Sequence, residues 1–260
     1  MPSTEHRDEL DGEPLFWRSA PASDATPILY VHGVPTTSDL WEPLLERAGG
    51  VAPDLPGFGR TTKRGDLDFT IDGYGRWLDR FAAHAGLERC SLVVHDWGGL
   101  ALAWAARRAD RIERVVIIDA VPLLPGYRWH RVARAWRTPL LGELAMGLTT
   151  RYALRRALPS QIAEIAWPAF DQGTQRAILR LYRSAGPAVL AAAGARLGEL
   201  RAGALVVWGD RDPYLPPHFA DAYADALGGE AEVLHLPDGG HWTWRERPEV
   251  LDRIAGFVTS

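Results

Sequence analysis

Three side chains able to act together stand at the ends of short apolar runs. Asp96 ends SLVVHD within VVHDWGG (93–99), where a β-like run turns into a helix-like one. Asp212 follows ALVVW in WGDRDPYLP, and His241 lies in DGGHWTW. A hydroxyl at such a corner suits attack on an acyl carbon. A carboxylate suits displacement at a saturated carbon, where it forms an alkyl-enzyme ester. An imidazole oriented by a second carboxylate can then activate water against that ester. Gly98 and Gly99 let a helix start close against the strand at a strained corner.

The elements that must position these residues are legible as alternating runs. Residues 27–33, 49–57, 91–96, 114–120, 204–210 and 231–238 are nearly continuous in Val, Ile and Leu and read as buried strands. Residues 70–87, 98–109, 217–227 and 248–258 carry helical periodicity, with Pro217 and Pro248 placed for helix starts. The alternation predicts an α/β fold with a mainly parallel, doubly wound sheet. Residues 123–198 break the rhythm with helical periodicity and no strand. A simple crossover needs far fewer residues. This stretch is expected to be a helical cap over the C-terminal edge of the sheet, where ligands of open α/β sheets bind. The core domain is then 1–122 and 199–260, and the cap 123–198.

The 260 residues are 47% hydrophobic with a formal net charge of -4. That length fits one large domain or a domain with an insertion. The slight acidity predicts neither nucleic acid nor an anionic membrane as partner. Arginine-rich stretches such as 151-RYALRRAL read as a solvated helix face. The single cysteine, Cys90, excludes an intramolecular disulfide and reads as a small buried apolar group. The polar start, MPSTEHRDELDGEP, lacks the pattern of a secretory signal, and no apolar run reaches the ~18–20 residues that span a bilayer. A cytoplasmic location is expected. The histidines have no ligand spacing, so neither metal nor cofactor is expected.

The order Asp96, Asp212, His241 is that of nucleophile, acid and base in the α/β-hydrolases. HGVPTTSDLW (32–41), VVHDWGG and GGHWTWRERPEV (239–250) together resemble the aspartate-nucleophile branch of that superfamily, the epoxide hydrolases and haloalkane dehalogenases. The resemblance covers most of 15–122 and 200–258 and is vague between them. It implies the α/β-hydrolase fold, a small apolar organic substrate, and an oxyanion hole made by the backbone amides of Val34 and Trp97. Asp212 has the GxxD spacing from Gly209, which leaves Asp210 structural. Asp119 is the alternative acid, since it ends another strand where some dehalogenases keep theirs. His95 is expected to be a buried hydrogen-bonded neighbour, and His235 a strand residue without chemistry.

The leaving group separates the two activities. Epoxide opening creates an alkoxide that needs an acid. Tyr182, in ILRLYRSAG, resembles the cap tyrosine of epoxide hydrolases, with Tyr152 or Tyr127 as a second. Dehalogenation needs N–H donors for a halide. Trp97 resembles the first such donor, but Val34 stands where many dehalogenases have asparagine, so a cap indole (Trp129, Trp136 or Trp167) would have to supply the second. These residues rank epoxide hydrolase first and haloalkane dehalogenase second. A non-catalytic ligand-binding protein on the same fold is the third reading, and it would have no need to keep Asp96, Asp212 and His241 together. Oligomeric state is not legible.

Overall fold

The computed structural model describes residues 3–22 and 26–260, so Met1 and Pro2 of the polar N-terminal stretch lie outside it. Its strands are β1 (Thr4–Leu10), β2 (Glu13–Ala20), β3 (Ile28–Val31), β4 (Gly50–Pro53), β5 (Cys90–Asp96), β6 (Ile112–Ala120), β7 (Gly203–Gly209) and β8 (Ala231–Leu236). They form one sheet in the order β1-β2-β4-β3-β5-β6-β7-β8. From β4 to β8 all neighbours are parallel, while β2 pairs antiparallel with both β1 and β4.

Each of the six apolar runs forms a strand, because central strands of a parallel sheet are covered on both faces. All seven residues of β5 are buried. The hairpin β1–β2 has no counterpart in the sequence reading. Its first strand, TEHRDEL, is almost wholly exposed at the sheet edge, so burial leaves little apolar signal in it.

The helices are α1 (Glu42–Ala48), α2 (Ile71–His84), α3 (Leu100–Ala106), α4 (Arg131–Arg137), α5 (Leu141–Gly147), α6 (Arg151–Ala157), α7 (Ser160–Ala166), α8 (Gln172–Ser184), α9 (Pro187–Ala193), α10 (His218–Ala226), α11 (Thr243–Glu246) and α12 (Pro248–Thr259). Two apolar cores lie on opposite sheet faces. Leu92, Val94, Val115 and Ile117 pack with α2, α3 and α10 in one. Val93, Val116 and Ile118 pack with α1 and α12 in the other. The alternation of β5 and β6 side chains thus feeds both layers. Helices α4 to α9 fill the chain between β6 and β7. Among the described residues, no helix is long and apolar enough to cross a membrane.

Candidate active site

Asp96 is the last residue of β5, and a 3₁₀ turn (Trp97–Gly99) leads directly into α3. Its backbone sits at φ 52° and ψ -124°, a conformation that L-residues other than glycine seldom adopt. Such strain costs about 1–3 kcal/mol and persists only where the surroundings enforce it. Two glycines make room for the corner. A Cβ on Gly98 would lie 2.0 Å from the Val31 carbonyl oxygen, and one on Gly33 would lie 2.4 Å from the Asp96 carboxylate. The loop after β3 therefore closes directly onto the acid. The Val34 amide donates to Asp96 Oδ2 at 2.8 Å, and the Trp97 amide also donates to this carboxylate. Oδ2 of Asp96 thus meets the Val34 amide, and Oδ1 faces His241.

His241 follows β8 and is buried. Its Nδ1 is 2.6 Å from Asp212 Oδ2, and its Nε2 is 3.7 Å from Asp96 Oδ1. The Asp212 carboxylate is itself fixed, since Oδ1 accepts from the amides of Tyr214 and Leu215 at 2.7 and 3.0 Å. Asp210 instead pairs with His235, at 2.6 Å, on the outer side of the sheet edge. Asp119 ends β6 at φ 37° and is fully buried. Its Oδ1 accepts from the Gly209 amide at 2.8 Å, and its Oδ2 has no hydrogen-bond partner. Asp212, not Asp119, makes the hydrogen bond to the imidazole. His95 points its Nε2 at the His241 carbonyl oxygen, 2.9 Å away, and supports the loop that carries His241.

The charges here are set by burial and by one another. Burial pushes the Asp96 carboxyl up, against the opposing pull of His241 and the two amides, to about 6. Burial alone would lower the His241 imidazole. The carboxylates of Asp212, Asp96 and Asp119 outweigh it and raise the imidazole to about 9. Burial holds the Asp119 carboxyl well above the usual carboxylate range. An ionised Asp96 beside an imidazolium is the resting arrangement at neutral pH.

A cavity of about 270 Å³ opens above Asp96 and His241, between the strand ends and helices α4, α5, α6 and α8. Its wall is mainly apolar and aromatic, with Val34 and Pro35 on the strand side. Tyr182 lies on this wall, and its ring meets the Trp97 indole edge-on with centroids 4.9 Å apart. Burial and then the Asp96 charge hold its phenol well above the usual range, so it is a neutral donor. Tyr127 is on the wall too, with a buried hydroxyl that lacks a partner.

Tyr152 does not reach the cavity. It is 69% exposed on the outer side of α6, where its hydroxyl accepts from Arg156. The helix turns this residue outward because Leu154 takes the inward position. Among the indoles, Trp129 lines the cavity but donates to the Ala185 carbonyl at 3.0 Å, and Trp167 is absent from the wall, stacking on Phe170. Trp136 is on the wall. The Trp97 indole packs against Trp129 and Tyr182, and its buried Nε1–H acts on the Tyr182 phenol without reaching good hydrogen-bond geometry.

Two wall residues escaped the sequence reading. Tyr214 stacks edge-on against His241 at 5.3 Å, and its position two residues after Asp212 was the available signal. His130 packs against Tyr214 at 5.0 Å, and its Nδ1 accepts from the Ala133 amide. Burial and the nearby His241 lower its pKa to about 4. No local pattern marks it.

A model of the α/β hydrolase fold family matches residues 26–248. A haloalkane dehalogenase of Bradyrhizobium diazoefficiens is 28% identical, the match covering 95% of this chain and 91% of that one. The crystal structure of haloalkane dehalogenase DbeA from Bradyrhizobium elkani superposes with a TM-score of 0.83 at 25% identity, over 98% and 97% of the two chains. The epoxide hydrolase CorEH shares the fold, with a TM-score of 0.80 at 19% identity over 98% of each chain.

Proposed function

The chain belongs to the α/β-hydrolase fold family and is a hydrolase, and on that premise we propose that it opens epoxides to vicinal diols through an ester on Asp96. Asp96 Oδ1 attacks an epoxide carbon, the C–O bond breaks, and Tyr182 gives its proton to the departing oxygen. The imidazolium proton passes to the Tyr182 phenolate, and water then adds to the ester carbonyl carbon while neutral His241 Nε2 takes its proton and Asp212 steadies the imidazolium; the Cγ–Oδ1 bond breaks, and the remaining proton on the added oxygen passes to the departing alkoxide, releasing the diol. The oxyanion forms on Oδ2, which the Val34 amide already meets, and the Trp97 amide donates to the same carboxylate; each is worth about 100–1,000-fold in rate. Esterification removes the Asp96 charge, which lowers the imidazole's proton affinity at the moment a base is needed.

One observation carries the choice of leaving group. The Asp96 charge acts on the phenols of Tyr182, Tyr127 and Tyr214, all three on the cavity wall. Neutral phenols on the wall of the cavity that holds the nucleophile suit an alkoxide that must be protonated. Val34 has no side-chain donor for a halide and the Trp129 N–H is used elsewhere, which leaves Trp136 as the wall indole for a second halide contact.

The second reading is dehalogenation. The buried Trp97 N–H beside the nucleophile favours it, since its hydrogen bonding within the protein is poor and a halide would accept from it. The similarity to haloalkane dehalogenases favours it as well. Purified protein incubated with styrene oxide and with 1-bromobutane tests the choice. Diol from the epoxide without halide release is the expected result, and halide release alone reverses it.

A further inference from the structure

The segment between β6 and β7 buries most of its leucines but turns four of them outward. In and beside α5, Leu140, Leu141, Leu144 and Leu148 are exposed, Leu140 at 83% and Leu148 at 68%. Spacing of three and four residues from 141 to 148 puts them on one helix face, and that face looks into solvent. Val132 on α4 and Tyr152 on α6 are exposed as well. Contiguous apolar patches of this kind mark an interaction surface.

The patch is ringed by positive charge. Residues 123–198 hold eleven arginines, no lysine and three acids, a formal +8, which leaves -12 for the rest of a chain whose total is -4. Arg128, Arg131, Arg134 and Arg156 make no ion pair among the described residues. The one acid among residues 124–157, Glu143, is tied to Arg183. The mouth of the cavity is in the same place, since Val132 and Ala153 are both exposed and on its wall.

We propose that the outer face of α4, α5 and α6 docks on an anionic lipid bilayer, with the leucines entering the headgroup boundary and the cavity mouth turned towards it. Exposed leucines beside unpaired arginines are what such a surface holds. The acidic remainder of the molecule is repelled from the same surface, so the charge separation orients the protein. A second copy fits less well, because α4 to α6 (residues 131–157) carry six arginines and one acid, and a two-fold contact through them sets +5 against +5. The net charge of -4, read over the whole chain, conceals two faces of opposite sign. A lipophilic substrate would pass from bilayer to cavity without crossing water.

Flotation of the full chain with vesicles tests the inference independently of the reaction. Vesicles of phosphatidylglycerol and phosphatidylcholine in equal parts should carry the protein at low salt, vesicles of phosphatidylcholine alone should not, and about 0.5 M salt should release it. An arginine near such a surface is worth about fivefold in partition, so R131E/R134E should weaken binding by roughly 30-fold or more. L144S/L148S should also weaken it, and both variants should keep the wild-type Tm because all four positions are exposed. Failure of the wild type to float with the anionic vesicles, or wild-type binding by either variant, overturns the inference. So does a dimer in sedimentation that L144S/L148S dissolves, which would give the face to a second copy.

Discussion

Nε2 of His241 stands 3.7 Å from Oδ1 of Asp96, beyond hydrogen-bond distance but close enough for each charge to govern the other. The imidazolium helps to keep a buried carboxylate ionised, and the carboxylate helps to keep a buried imidazole protonated. Alkylation of Asp96 breaks this mutual support.

An ester should therefore accumulate when the base is removed. His241→Gln mixed with a reactive epoxide should gain the mass of one substrate, seen by intact-mass spectrometry. A single turnover of wild type in H₂¹⁸O should give unlabelled diol and labelled Asp96. If Asp96→Asn keeps activity and His241→Gln gains no mass, the covalent scheme is wrong.

Alkylation should have an acid limb near pH 6. Asp96 attacks only when ionised, and its pKa is raised by burial to about 6. The single-turnover rate should rise between about pH 5 and 7 and then level. A rate that is flat from pH 4.5 to 7 would mean an ordinary exposed carboxylate performs the attack.

The two buried acids should separate cleanly. Asp212→Asn removes the charge hydrogen-bonded to His241 Nδ1 at 2.6 Å and should slow ester hydrolysis by about 10,000-fold, by analogy with the orienting aspartate of a serine triad. Asp119→Asn keeps an acceptor for the Gly209 amide and replaces a carboxyl that burial already disfavours as an anion. It should stay near wild type in rate and in Tm. The reverse order in folded proteins would hand the role of acid to Asp119.

Tyr182 and Trp97 should report the leaving group. Tyr182→Phe keeps the ring that packs on Trp97 and removes the donor, so epoxide alkylation should slow by about 100-fold, the low end for general-acid assistance, because Tyr127 and Tyr214 remain. Trp97→Phe should have a modest effect on the epoxide. A large loss in Trp97→Phe on a bromoalkane, with Tyr182→Phe silent on the epoxide, would instead place a halide at the indole N–H.

The edge strand β1 was not legible because both its faces are wet and it carries no apolar period; β2, which buries Leu15 and Phe16, is only a short apolar run broken by Pro14 and Arg18. The central strands were, because each is a short unbroken apolar run. The sequence put Tyr182 first, by its likeness to a cap tyrosine, and offered Tyr152 or Tyr127 as a second. Tyr182 and Tyr152 differ because α8 buries one face against the cavity, while α6 exposes the side that carries Tyr152.

The sequence by itself determined the alternation of strands and helices and the glycine-lined corner that presents Asp96. It also determined the order of the three candidate catalytic groups. Each is written in local pattern: apolar runs, turn residues and spacing along one segment. The tertiary structure decided which carboxylate meets His241 and which aromatic rings reach the cavity. It also gathered the positive charge and the outward leucines on one face. These are relations between side chains from separate turns and helices, and they depend on the rotation and packing of whole elements, which no local period records.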